Sequence, residues 1–199
     1  MMDHRDEAAR AASEVRHRNA NIFQLLGALA RMRSQKAADA EAKRQLLWMA
    51  DAVGSLGALE RHRQGEGVNF GAYLDEMGPI WRRRHGVQAS EVTVDAEPLV
   101  VPDSGASTLA LIAQELVGNA LAHGYVGRPA GAVRIRFGLC DAGRCELRVS
   151  DDGAGFDPAL TSDRFGLWFV RSLSAQVRGE FSLETANGVT GRLAFPHAN

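Results

Sequence analysis

The sequence predicts an α+β protein: an amino-terminal antiparallel helical hairpin that becomes a four-helix bundle on dimerisation, followed by an α/β sandwich. Three observations carry this. Residues from Asp3 to about Arg33 hold no proline and are rich in Ala, Arg, Glu and Leu, the composition of one long helix. A second stretch, about Asp39 to Arg63, repeats Leu46, Met49, Val53, Leu56 and Leu59 or Glu60 at close to a 3.5-residue period. Beyond residue 66, helical spacing and period-two alternation take turns, as in a sheet with helices on one face.

In the first helix, Ile22, Leu25, Leu26, Leu29 and Met32 form the apolar stripe, and Ser34-Gln35-Lys36 marks the break. A hairpin of two such helices leaves stripes that a second hairpin would bury, so the pattern predicts a homodimer. Gln64-Gly65-Glu66-Gly67 is a polar, glycine-containing link and sets the boundary between domains 1–66 and 67–199. Phe70, Tyr73, Leu74, Met77, Ile80 and Trp81 predict a helix that Pro79 ends or kinks. Short strands follow at Glu91–Asp95 and Leu99–Val101. Leu109, Ile112, Ala113, Leu116, Val117, Ala120 and Leu121 give a helix from Ser107, its cap, to Gly124. Val133–Cys140 and Cys145–Ser150 alternate around the Asp141–Arg144 turn, which puts Cys140 and Cys145 on neighbouring strands as structural thiols. A glycine loop at Asp151–Asp157, a helix at Phe165–Gln176, and strands at Phe181–Glu184 and Gly191–Phe195 around Asn187-Gly188 complete the chain.

The totals exclude several classes of function. Apolar content of 45% and charged content of 24% describe a folded chain. The net charge of -1, without a basic stripe, argues against nucleic acid, and Arg82-Arg83-Arg84 reads as a solvated helix end. No apolar run is long enough for a membrane span and the charged start is not a signal peptide, so the expectation is a cytoplasmic protein.

Glu115, Asn119 and His123 follow at i, i+4 and i+8 and form a polar stripe beside the small residues Gly118 and Ala122. Such a helix is the wall of a site that a ligand approaches closely. In the Asp151 loop, Gly153 and Gly155 let backbone approach a flat ligand, and a buried Asp151 would accept from an exocyclic amine. Gly166 stands directly before a helix whose amides would face an anion.

In this order the motifs resemble the ATP-binding domain of the GHKL superfamily (Bergerat-type fold), and more closely that of bacterial sensor histidine kinases, over roughly Val68 to Pro196. The resemblance implies ATP and Mg2+ as cofactors, with Asn119 holding magnesium, Glu115 its partner or base, His123 beside them and Asp151 on the adenine amine. Gly153, Gly155, Gly166 and Leu167 would shape the nucleotide loops. The short segment between Phe156 and Gly166 leaves room for a small lid. Glu14-Val15-Arg16-His17-Arg18-Asn19-Ala20-Asn21 resembles the phosphoacceptor motif of the second HisKA family and the related HWE kinases, and Gly166-Leu167-Trp168-Phe169-Val170 is similar to that group's Gly-Leu-x-Leu-Val.

The resemblance makes His17 the phosphoacceptor of an ATP-dependent protein-histidine kinase that passes the group to an aspartate of a response regulator. Histidine side chains titrate near about 6.5, so at neutral pH a ring nitrogen is a competent nucleophile. Arg18 would supply a cation, Glu14 would hold the other ring nitrogen, and Asn21 would position a water for dephosphorylation. The chain leaves no room for an attached sensor, so the signal comes from a separate protein or from the residues before Glu14. Ala122 and Ala20 stand where these kinases usually carry lysines, which removes positive charge near the phosphate path. Two alternatives follow: a dimeric histidine phosphotransfer protein with weak or no ATP binding, and an anti-sigma-type GHKL serine kinase.

Overall fold

Apolar residues every three or four positions make α1 (Asp3–Lys36) and α2 (Ala40–Leu59) helical. The computed structural model describes residues 3–84, 91–123, 131–140, 143–155, 165–185 and 188–197. The chain divides into two compact units, residues 1–63 and 64–199.

In the first unit α1 runs through the expected break. Ser34 Oγ donates back to the Arg31 carbonyl at 2.7 Å, inside the helix, and Asp39 caps α2 by accepting from Ala42 N–H at 2.8 Å. α2 stops at Leu59, short of Arg63, and tightens into one 3-10 turn at Glu60–His62. The two helices pack closely where they carry glycine: a Cβ on Gly57 would lie 3.1 Å from Phe23 Cβ, and one on Gly27 would lie 3.4 Å from the Ala50 carbonyl. Arg31 and Asp51 pair across the hairpin at 2.7 Å. The α1 stripe stays open, with Ile22, Leu26 and Leu29 exposed, Leu25 at 70% and Met32 at 62%.

Where the chain passes from the first unit to the second, the expected polar link is a turn between two short strands, β1 (Arg63–Gln64) and β2 (Gly67–Asn69), with Gly65 at φ +60°. β2 pairs antiparallel with β4 (Val100–Pro102). α3 (Phe70–Arg84) continues through the exposed Pro79. Interior proline costs about 3 kcal/mol. Burial of Phe70, Tyr73, Leu74, Met77 and Trp81 on both sides of it, at about 1.5–3 kcal/mol per side chain, outweighs that. α4 (Asp103–His123) begins a turn before Ser107, which is therefore interior to the helix and not its cap; Pro102-Asp103 supplies the start, with an acidic residue in the first turn.

The main sheet contains β3 (Glu91–Ala96), β5 (Ala132–Cys140), β6 (Arg144–Asp151), β7 (Glu180–Glu184) and β8 (Thr190–Pro196), in the order β3-β5-β6-β8-β7. β3 pairs parallel with β5, and the other pairs are antiparallel. Val133, Ile135, Phe137, Leu147, Val149, Leu193 and Phe195 turn to one face and are buried there. On that face Phe70 of α3 meets Phe137 edge-on at 5.1 Å, and Leu116 of α4 lies against Gly191. α5 (Phe165–Gln176) packs beside α4.

Cys140 and Cys145 are free thiols on β5 and β6. Leu139 is the residue opposite Cys145, so the two cysteines face opposite sides of the sheet. Cys145 is buried, and burial, with smaller contributions from Cys140 and Glu97, pushes its thiol up to about 11. Among the described residues no helix is long and apolar enough to cross a membrane.

Candidate active site

Three consecutive residues of α4 fix the helix and aim its polar edge. Gln114 accepts from Trp81 Nε1–H at 2.8 Å in the core, tying α4 to α3. Leu116 presses on Gly191 of β8. Glu115, between them, is 7% exposed, and its Oε1 accepts from Asn119 Nδ2 at 3.0 Å one turn later. Because Nδ2 is spent on that carboxylate, Asn119 Oδ1 is the carboxamide's remaining acceptor, the donor type that a hard divalent cation takes together with phosphate oxygens and water.

The start of α5 closes this cluster. A Cβ on Gly166 would lie 2.0 Å from Glu115 Oε1 and 3.3 Å from Asn119 Nδ2, so only glycine fits. On the other side, a Cβ on Gly118 would meet nothing within 4 Å, which leaves open space beside the stripe. Ala122 is exposed. His123 ends α4, and its side chain lies outside the described residues. The site therefore joins Glu115, Asn119 and Gly166 directly. Leu167 follows, half-buried.

The second cluster forms where β6 ends. Asp151 is 7% exposed, and its Oδ1 accepts from the backbone N–H of Gly153 at 2.8 Å and of Val189 at 3.3 Å. Burial raises its pKa above the ordinary aspartate value; the two backbone donors pull it down, and the charge of Asp152 adds a small push upward. Asp152 itself turns outward and accepts from Ala132 N–H at 2.9 Å. Gly155 has φ +68° and faces the Thr185 carbonyl, where a Cβ would lie at 2.6 Å. Gly188, at φ +107°, has no room for a Cβ either, which would lie 2.0 Å from the Asp151 carbonyl. Gly188 and Val189 are site residues that the sequence reading missed; the only signal was the Asn187-Gly188 turn. The remainder of the glycine loop and the short lid segment, residues 156–164, lie outside the described residues.

The Glu14–Asn21 segment belongs to the other unit. His17 and Asn21 are exposed on α1, and Glu14 pairs with Arg18 at 2.9 Å instead of with His17. Among the described residues no group of three or more His, Cys, Asp or Glu is placed to hold a metal, so a cation here would rely on Asn119 and on ligand oxygens.

Residues 81–190, which contain Glu115, Asn119, Asp151 and Gly166, match the family described as Histidine kinase-like ATPase domain. The chain belongs to this GHKL-type family. This histidine kinase-like ATPase chain is 28% identical over 205 residues to Blue-light-activated histidine kinase 2 of Erythrobacter litoralis, covering 96% of the chain and 57% of the relative. It is 30% identical over 182 residues to Sensor histidine kinase PdtaS of Mycobacterium tuberculosis, covering 87% of the chain and 36% of the relative. The chain thus spans 57% or less of the curated relatives it matches. Among solved structures, the histidine kinase domain of the Erythrobacter litoralis EL346 blue-light activated histidine kinase superposes with a TM-score of 0.71 at 20% identity, covering 89% of this chain and 96% of that one. That likeness is one of fold.

Proposed function

We propose that this chain is the phosphoacceptor and catalytic part of a two-component histidine kinase, which phosphorylates His17 from ATP and passes the group to an aspartate of a response regulator. The observation that carries the reading is the Glu115–Asn119–Gly166 cluster within a histidine kinase-like ATPase domain, in a chain whose other unit holds an exposed histidine on a helix.

Each residue then has a task. Asp151 Oδ1 is held by two backbone donors, and the carboxylate accepts from the adenine amine. Glu115 is a positioning residue: by accepting from Asn119 Nδ2 it turns Oδ1 toward the phosphates. Magnesium, when bound, neutralises triphosphate charge, and Asn119 Oδ1 is the oxygen of this chain that fits it. The unprotonated ring nitrogen of His17 attacks the γ-phosphorus, the bond to the β–γ bridging oxygen breaks, and ADP leaves. Phosphoryl transfer of this kind depends on position and charge more than on covalent help. Arg18 is the cation beside the acceptor, and Glu14 serves the other ring nitrogen once it leaves Arg18. Asn21 positions a water that attacks the partner's aspartyl phosphate, releasing inorganic phosphate, where the protein also dephosphorylates its partner.

The exposed stripe Ile22, Leu25, Leu26, Leu29 and Met32 supports a homodimer, since burying a side chain of this kind stabilises by about 1.5–3 kcal/mol. Incubation with labelled ATP and magnesium tests the assignment. Wild type should acquire an acid-labile phosphoryl group, and His17→Gln and Asn119→Ala should lose it. Acid-stable label, or label retained in His17→Gln, refutes the histidine assignment.

A further inference from the structure

Where the β6–β8 ladder ends, its last rung joins the nucleotide loop to the turn between β7 and β8. The antiparallel register runs Arg148↔Arg192, Val149↔Gly191 and Ser150↔Thr190, so Asp151 and Val189 stand opposite one another at the end of the ladder. Asp151 N–H donates to the Val189 carbonyl at 2.9 Å, as a ladder rung should. The return donor, Val189 N–H, turns to the Asp151 side chain and reaches Oδ1 at 3.3 Å.

Gly188 permits this arrangement. Its φ of +107° is one that side chains rarely tolerate, and a Cβ there would lie 2.0 Å from the Asp151 carbonyl oxygen and 3.2 Å from Asp152 Cα. From the other side, a Cβ on Gly155 would lie 2.6 Å from the Thr185 carbonyl and 3.2 Å from that of Gly188. Two glycines, one in each loop, thus let the turn close onto the end of β6 and fix the Val189 amide beside the carboxylate.

The two carboxylate oxygens therefore have different work. Oδ1 is committed to the amides of Val189 and of Gly153, the latter at 2.8 Å. Oδ2 has no hydrogen bond among the described residues and is the oxygen left for a ligand. Burial favours the protonated carboxyl, and the two amides oppose it, so they help to keep Oδ2 an acceptor. An acceptor takes the 6-amino group of adenine and repels the 6-oxo group of hypoxanthine, whereas a protonated carboxyl reverses that preference.

We propose that the Gly188–Val189 turn is the positioning element for purine selectivity: through the Val189 amide it orients Asp151 so that Oδ2 meets a 6-amino purine and turns away a 6-oxo purine. Gly188 and Val189 act through Asp151 and are positioning residues. The proposal rests on the reading of Asp151 as the acceptor of the adenine amine. It adds that discrimination depends on a backbone amide 38 residues further along the chain. Substitution in the turn then changes which base is preferred, and leaves binding of the triphosphate to the Asn119 cluster in place.

Calorimetry on the full chain with magnesium compares ATP, inosine triphosphate and purine riboside triphosphate, which carry at C6 an amino group, an oxo group and hydrogen. Wild type should prefer ATP to inosine triphosphate about 30-fold, the worth of one hydrogen bond to a charged group. Val189→Pro, which removes the donor, and Gly188→Ala, which forces the turn off Asp151, should each cut that ratio to about threefold or less, with affinity for purine riboside triphosphate altered less than about twofold. Leu183→Ala weakens the same hairpin opposite Gly191, and should lower the urea midpoint without moving the ratio. Hydrogen exchange needs no variant: ATP should slow exchange of the Val189 amide in wild type about tenfold more than purine riboside triphosphate does, because the bound amine holds the carboxylate in place. A wild type that binds ATP and inosine triphosphate equally overturns the Asp151 reading together with this proposal. A wild-type preference that survives in both turn variants, an equal loss of all three nucleotides, a ratio lowered as much by Leu183→Ala, or equal protection of the Val189 amide by ATP and purine riboside triphosphate overturns this proposal alone.

Discussion

The two units solve the burial problem differently. The carboxy-terminal unit closes on itself: Trp81, Tyr73, Phe70, Ile112, Ile135 and Leu193 are all under 2% exposed, and even the polar Gln114 inside it is hydrogen-bonded. The amino-terminal hairpin does not close, and leaves Leu25, Leu29 and Met32 more than half exposed. A closed core makes a site that works alone, while an open stripe makes an element whose stability depends on concentration.

The largest effect that would break this contrast is in the closed unit. Trp81→Ala should cost about 3–5 kcal/mol for the lost ring, with more from the orphaned Gln114 carbonyl, and urea unfolding should show a midpoint independent of protein concentration. Leu25→Asp combined with Leu29→Asp should instead weaken self-association at least 100-fold, about 2.7 kcal/mol, while ATP affinity is unchanged. Light scattering across a dilution series reads this directly, and a monomeric wild type would sink the dimer.

Gly166→Ala probes the tightest contact of the closed unit. An added methyl against Glu115 should cost about 1–3 kcal/mol and reduce nucleotide affinity about tenfold, measured by calorimetry.

Asp151 sharpens the contrast through pH. Its folded pKa is raised, so the native state holds the proton more tightly than the unfolded chain. Stability from this group is therefore greatest below the ordinary aspartate value and declines as pH rises through the raised value. Asp151→Asn should flatten the urea midpoint across that window. Nucleotide binding should move the opposite way in wild type, strengthening as the carboxylate ionises. A wild-type midpoint that rises with pH there contradicts the burial argument. The smallest effect belongs to the exposed Glu14–Arg18 pair, where Glu14→Gln should change thermal stability by less than about 0.5 kcal/mol.

The same contrast governs what was legible in the sequence. Periodicity located α1, α2, α5 and the β5–β6 pair, because each has an apolar face with a clean period. It missed the start of α4, because Asp103-Ser104-Gly105-Ala106 has no apolar stripe, and it read the Gln64–Gly67 turn as a plain link. Pro79 was overweighted because burial on either side of it is a tertiary effect. In the site, the Glu115–Asn119 spacing was visible on one helix, and the structure pairs the two residues. The pressure of Gly166 on Glu115, and of Gly188 on Asp151, joins residues far apart in the chain, and no local pattern encodes it.

The parallel pairing of β3 with β5 has a consequence in time. β5 and β6 are close neighbours in the chain and can pair within microseconds, whereas β3 reaches β5 only after the whole of α4 has been carried across. α4 lies inside that crossover, so Glu115 and Asn119 gain their orientation in the slow, non-local step of folding. Nucleotide competence should therefore appear last as the chain folds, after the hairpin strands have formed their hydrogen bonds.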